Sequence, residues 1–131
     1  KELESIVHPA TRQYQITYIK KLIEEQKFGC ILDIPLLFET GGDRYVDASI
    51  VVIASEDKQR ERVVGERQIP AEVFNILKKQ QMPDQEKLKK ANFIISTEKN
   101  IESTKVEVAN TVEQLKAIEP KAWEDFYSKI Q

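Results

Sequence analysis

Residues 30–53 read CILDIPLLFETGGDRYVDASIVVI. They hold two short apolar, mostly β-branched runs, Cys30 to Ile34 and Ile50 to Ile53, separated by Pro35, the Leu36-Leu37-Phe38-Glu39 run and the Gly41-Gly42 break. Neither run alternates apolar with polar. A strand with one wet face alternates, whereas a strand covered on both faces reads as a continuous apolar run, which is the habit of parallel sheets. Two buried strands joined by a short crossover therefore predict a parallel α/β arrangement. Asp33 is the odd residue in the first run.

Upstream, Pro9 is expected at the first position of a helix, because its fixed φ suits that place and its missing N–H has no partner there in any case. Ile16, Ile19, Leu22 and Ile23 then recur at helical spacing to about Glu25, and Gly29 ends the segment. Downstream, Ser55-Glu56-Asp57 is a helix start with a capping hydroxyl and two acids near the positive end of the dipole. That helix is predicted to reach about Glu66. Two more starts, Pro70-Ala71-Glu72 and Pro83-Asp84-Gln85-Glu86, make residues 56–90 a block of three short helices. Phe93-Ile94-Ile95 is a third strand. Asn100 caps a long helix with Ile101, Val108, Val112 and Leu115 on one face, and Pro120 opens a last helix carrying Trp123, Phe126, Tyr127 and Ile130. The order α-β-α-β-ααα-β-α-α describes a doubly wound α/β chain, with a sheet small for that class.

Composition bounds the function. Twenty Lys and Arg against 22 Asp and Glu leave a net charge of −2 in 131 residues, which is no electrostatic footprint for nucleic acid or an anionic membrane. No apolar run approaches the roughly 20 residues that span a bilayer. The single cysteine, Cys30, rules out a disulfide framework, suits a reducing compartment and is expected to be a buried, inert thiol. Lys1 to Ser5 show no signal peptide, and without an initiator Met position 1 reads as a cut end. The four glycines amount to about 3% where roughly 7% is usual. They fit neither G-x-x-x-x-G-K-[ST] nor G-x-G-x-x-G, so nothing in these residues cradles a triphosphate alone.

The densest charge cluster is Lys58-Gln59-Arg60-Glu61-Arg62 followed by Glu66-Arg67. On a regular helix Arg60 and Arg67 share a face and Arg62 points elsewhere. The plain reading is a solvated helix balanced by its own acids; the functional one is a set of arginines clamping phosphate from a mobile lid. Asp33, at the carboxyl end of a buried strand, is either a salt-bridged or capping acid or a carboxylate holding Mg²⁺ or its waters. His8, the only histidine, is read as a cap of the following helix. Lys78, Lys79, Lys87, Lys89 and Lys90 form a solvated basic face or assist with an anionic substrate. The Trp123 to Ile130 stripe is core or a subunit contact.

Together the residues resemble a known family. Leu3-Glu4-Ser5-Ile6-Val7-His8-Pro9, then Leu32-Asp33-Ile34-Pro35-Leu36-Leu37-Phe38-Glu39, Gln59 to Arg62, Gln81-Met82-Pro83 with Glu86-Lys87, and Ala91-Asn92-Phe93-Ile94-Ile95 resemble dephospho-coenzyme A kinase in that order over essentially the whole chain. The resemblance implies a three-layer αβα P-loop NTPase-type parallel sheet of the adenylate-kinase-like group. It also implies ATP and Mg²⁺ as cofactors and phosphorylation of the ribose 3′-hydroxyl of dephospho-CoA, the last step of CoA synthesis, in the cytoplasm. In the family a Walker A loop and a general-base Asp precede the His-Pro segment, so the chain resembles the C-terminal two-thirds, truncated at its N-terminus and expected to be inactive alone. The implied parts are residues 1–28 in the CoA-binding helices, 29–55 in the nucleotide core, 56–90 in the lid, and 91–131 in the rest of the core.

Carried over by position, His8, Arg12, Asp33, Leu37 and Glu39 fall at the acceptor site. Arg62 matches the lid arginine, and Arg67 matches a second one with one extra residue between them. Both would act catalytically and on ATP, and Thr97 would offer backbone contacts to adenine. Two departures bear on the adenine site: the family's Ala-Asp is Ala91-Asn92 here, and its Asp-Asn is Ser96-Thr97. Gln81 and Lys87 match family positions without an assigned role. The alternatives are another P-loop kinase, such as one acting on a nucleoside monophosphate, and a non-catalytic α/β interaction module.

Overall fold

The computed structural model describes the backbone of residues 2–129 and the side chains of Val7 and of residues 9–129. In chain order the elements are α1 (Glu2–Glu24), a 3₁₀ turn (Gly42–Tyr45), β1 (Ile50–Ile53), α2 (Glu56–Arg60) running into a π-helical segment (Glu61–Glu66), α3 (Ala71–Gln80), α4 (Asp84–Lys90), β2 (Phe93–Ser96), α5 (Ile101–Leu115), α6 (Ala122–Asp125) and a 3₁₀ turn (Tyr127–Lys129). β1 and β2 pair in parallel, with Ile50 opposite Phe93 and Ile53 opposite Ser96. The parallel α/β class is as expected, and the two runs that pair are Ile50–Ile53 and Phe93–Ser96.

The register is pinned at both ends. At the amino end the Asn92 Oδ1 accepts from the buried Ser49 N–H at 2.9 Å and from its hydroxyl at 3.1 Å. At the carboxyl end the Thr97 N–H donates to the Ile53 carbonyl at 2.8 Å.

Four expectations are corrected. α1 runs through His8-Pro9 rather than starting there, because an internal proline forfeits one backbone bond and kinks a helix without having to stop it. The capping role for His8 falls with that start, and its side chain lies outside the described residues. Cys30 to Ile34 is not a strand: Ile31 is 86% exposed and Cys30 is exposed. A strand exists only as a ladder with a neighbour, and none of the described backbone pairs with these residues. The helix over 56–66 loosens at its second half, where the Arg67 N–H reaches the Arg62 carbonyl five residues back.

Finally, α5 turns its polar side inward. Thr111 is buried, while Ile101, Val108 and Val112 are exposed. β2 is a sheet edge with free backbone groups, and α5 supplies them partners: the Glu107 carboxylate accepts from the Ser96 N–H at 2.6 Å and the Thr104 hydroxyl donates to the Ser96 carbonyl at 3.3 Å.

Two apolar centres hold the chain. Ile16 of α1 packs with Ala122 and Tyr127, joined by Ile19, Leu32, Tyr45, Trp123 and Phe126, so the C-terminal aromatic stripe is core. The four-residue α6 is anchored from afar, since the Asp47 Oδ1 accepts from the Lys121 and Ala122 N–H groups at 2.6 and 2.7 Å. Elsewhere Phe38, Phe74 and, in β2, Ile95 are buried. None of the described helices is long and apolar enough to cross a membrane.

Candidate functional site

Parallel strands bring their carboxyl ends to one side, and ligands of open α/β sheets bind outside those ends. Here the chain leaves β1 at Ser55 and β2 at Thr97, and the two exits are laced together. The Glu98 carboxylate accepts from the Ser55 N–H at 2.7 Å and from its hydroxyl at 2.9 Å. Those two bonds, the N–H first, hold the Glu98 carboxyl below the ordinary carboxylate range. The Ser55 hydroxyl in turn caps α2 by accepting from the Lys58 N–H at 3.3 Å.

Arg62 closes the same cluster. Its Nη1 donates to the Thr97 hydroxyl at 2.9 Å and its Nη2 to the Thr97 carbonyl at 2.6 Å. The side chain is half-buried, whereas Arg60 and Arg67 are exposed. The π-helical turn decides this, because five-residue hydrogen-bond spacing breaks the register in which Arg60 and Arg67 share a face. Lys58 lies alongside, its Nζ 2.8 Å from Glu61, and that hydrogen bond raises the ammonium above its usual value.

The positions expected at the acceptor site separate into two places. Arg12 lies on α1, its guanidinium carbon 5.7 Å from the centre of the Tyr45 ring, and lines a cavity of about 250 Å³ with Gln15, Ile34, Thr40, Tyr45 and Tyr127. Asp33 is exposed, one residue before Ile34 at that cavity. Leu37 and Glu39 belong to the turn beyond it. The Leu37 carbonyl accepts from the Gly42 N–H at 2.8 Å, which folds residues 36–42 into a compact corner. Gly41 there has φ +68°, and a Cβ on it would sit 2.6 Å from an Arg44 nitrogen.

Glu39 faces inward. Its Oε1 accepts from the Met82 N–H at 2.6 Å and lies 3.2 Å from Lys87 Nζ, with both side chains largely buried, while Oε2 is buried without a partner among the described residues. Burial pushes this carboxyl up, but the backbone N–H bonds and the Lys87 ammonium outweigh it and leave the group below its ordinary value. The Glu39–Lys87 pair thus ties the LLFE turn to the middle of α4 and gives Lys87 a place.

Asn92 stands just before β2, roughly 16 Å of extended chain away from Thr97. Its side-chain oxygen is taken up by Ser49. Sequence reasoning missed Glu98 and Tyr45, although an acid directly after a strand end, on the side where a capping Ser begins a helix, is a readable signal. Among the described residues no three His, Cys, Asp or Glu side chains gather as a metal cage.

A sequence model of the dephospho-CoA kinase family matches residues 1–103. Curated relatives named dephospho-CoA kinase include those of Nitrobacter winogradskyi, 34% identical over 82% of this chain and 54% of the relative, Agrobacterium fabrum, 36% over 88% and 59%, and Bartonella quintana, 37% over 86% and 58%. The chain spans a little over half the length of these relatives. No solved structure matches it.

Proposed function

Since this chain belongs to the dephospho-CoA kinase family, we propose that the protein transfers the γ-phosphoryl group of ATP to the ribose 3′-hydroxyl of dephospho-CoA. The observation that carries the proposal is the Arg62 guanidinium, held in place by Thr97 at the carboxyl ends of both strands. Phosphoryl transfer asks little covalent chemistry of a protein. It asks that the reacting oxygens be held in line and that charge on the transferring group be met by cations.

In this reading residues 56–90 are a lid. Its Arg62 and the exposed Arg67 face the phosphates, and closure over them excludes water. On the acceptor side Arg12 pairs with an anionic group of dephospho-CoA, with Asp33 next to the same cavity, and the family resemblance adds His8 and Leu37 to that side. Glu39 supports them by holding the 36–42 corner against Met82 and Lys87. Mg²⁺ is usually held by one or two carboxylates plus substrate phosphates and waters. Asp33, exposed and without a cage around it, is the carboxylate this chain offers, and the ion would neutralise phosphate charge when bound.

The three-layer sheet belongs to the same proposal. Cys30–Ile34, apolar and with its backbone groups unused, would be a further strand of that sheet once a neighbour pairs with it, and the triphosphate cradle would come from outside the 131 residues. The single thiol, Cys30, suits a cytoplasmic enzyme. The test supplies a full-length kinase containing these 131 residues and a triphosphate-binding loop with ATP and either dephospho-CoA or a panel of nucleoside monophosphates. ATP-dependent formation of CoA is the expected outcome, and phosphorylation of a monophosphate alone points to a different kinase.

A further inference from the structure

Thr97 follows β2 directly, and its hydrogen-bonding groups are engaged inside the protein. Its N–H and its hydroxyl both donate to the Ile53 carbonyl, at 2.8 and 3.1 Å. Its hydroxyl oxygen and its carbonyl accept from the two terminal nitrogens of Arg62. The Thr97 N–H is spent on Ile53, and its carbonyl already accepts one hydrogen bond from Arg62.

The other side of the bond is different. A guanidinium carries five N–H donors in a rigid plane. Thr97 takes two of them, which fixes the plane and leaves three donors directed elsewhere. The segment carrying Arg62 is fastened to the same loop a second time, through Glu98 and Ser55. An arginine on a solvated helix has many rotamers open to it. One already gripped by its neighbour loses little more when it meets a ligand.

We propose that Thr97 is a positioning residue: it holds Arg62 so that the remaining donors face the terminal phosphates of a bound nucleoside triphosphate, and it acts on the reaction only through that arginine. This rests on the phosphoryl-transfer reading above. It also gives a use to the Ser96-Thr97 pair, which stands where the resembling family has Asp-Asn: in place of a side-chain amide beside the base, this chain has a hydroxyl under an arginine.

The test measures ATP-dependent phosphorylation of dephospho-CoA by the full-length kinase that contains these residues. Thr97→Val keeps the side-chain shape and removes the hydroxyl. It is expected to lower kcat about 10-fold, with the KM for ATP changed much less, and Thr97→Ser recovers most of that loss. Arg62→Lys keeps the charge but loses the fork. The double variant Thr97→Val with Arg62→Lys is expected to lose no more than Arg62→Lys alone, since Thr97 then has nothing to aim.

An unchanged kcat in Thr97→Val overturns the proposal. So does a loss confined to KM, which would make Thr97 a direct nucleotide contact, and so does a loss that multiplies with that of Arg62→Lys. If the unmodified full-length protein phosphorylates no acceptor at all, the kinase reading fails and this proposal falls with it. An active protein with an indifferent Thr97→Val removes the proposal alone.

Discussion

Glu39 and Lys87 show how one residue pair links two sequence blocks that are otherwise unrelated. Glu39 ends the LLFE turn and Lys87 lies in α4, and the carboxylate oxygen between them also accepts from the Met82 N–H. The other carboxylate oxygen is already buried without a partner among the described residues. Removing the ammonium leaves a largely buried charge on a single hydrogen bond, so Lys87→Ala is expected to destabilise the fold by about 1–3 kcal/mol, read from urea unfolding.

The pH dependence follows from the direction of the Glu39 shift. Its carboxyl titrates lower in the folded chain than in the unfolded one, so its contribution is complete above the unfolded value. As pH drops below that value the unfolded chain takes up the proton first, and the contribution is lost by the time pH has fallen through the folded value. Lys87→Ala should flatten that acid limb; an equally steep limb would mean the pair is not its source.

The scale of elements brings out two glycines with opposite expectations. Gly41 opens the 3₁₀ turn at φ +68°, and its missing Cβ is what lets the Arg44 side chain fold back onto the Gly41 carbonyl at 2.8 Å. Gly41→Ala meets a strained backbone and a steric clash, and should cost about 1–2 kcal/mol. Gly65, inside the π-helical segment, has open space around the position of a Cβ and no left-handed φ. Gly65→Ala should therefore stabilise by about 0.4–1 kcal/mol through the unfolded chain. Thermal unfolding of the two variants side by side checks the pair, and a loss in Gly65→Ala would show that the segment needs glycine for a reason other than space.

The whole molecule carries its apolar residues unevenly. Phe74 and Ile95 are each 6% exposed, while Val52 at 62% and Ile94 at 46%, which the register puts on opposite faces of the sheet, leave apolar surface open. Phe74→Ala is expected to cost about 3–5 kcal/mol. Ile31→Ser, at a position 86% exposed, should stay within about 0.5 kcal/mol in these 131 residues. Equal losses in the two would contradict the placement of the core.

Much of this was legible beforehand, and the failures share a cause. The strands at Ile50 and Phe93, the Ser55 and Asn100 caps and the short helices after Pro70 and Pro83 all follow from local chemistry. Cys30 to Ile34 has the composition of a strand and is none, because β-branched residues favour extended backbone but cannot supply the neighbour that completes a ladder. The valines of α5 were misread for a related reason: the free edge of β2 draws Thr104 and Glu107, so the polar side of the helix faces in.

The amino-acid sequence by itself determined the α/β class and the family, since periodicity, capping residues and motif order are properties of neighbours along the chain. Tertiary structure alone decided which run becomes a strand, that Arg62 rather than Arg60 docks, and that Glu39 turns to Lys87. Those outcomes depend on partners far off in sequence: 35 residues separate Arg62 from Thr97, 43 separate Glu39 from Met82, and 75 separate Asp47 from Ala122. No local pattern encodes a hydrogen bond whose other half is set by how the rest of the chain packs.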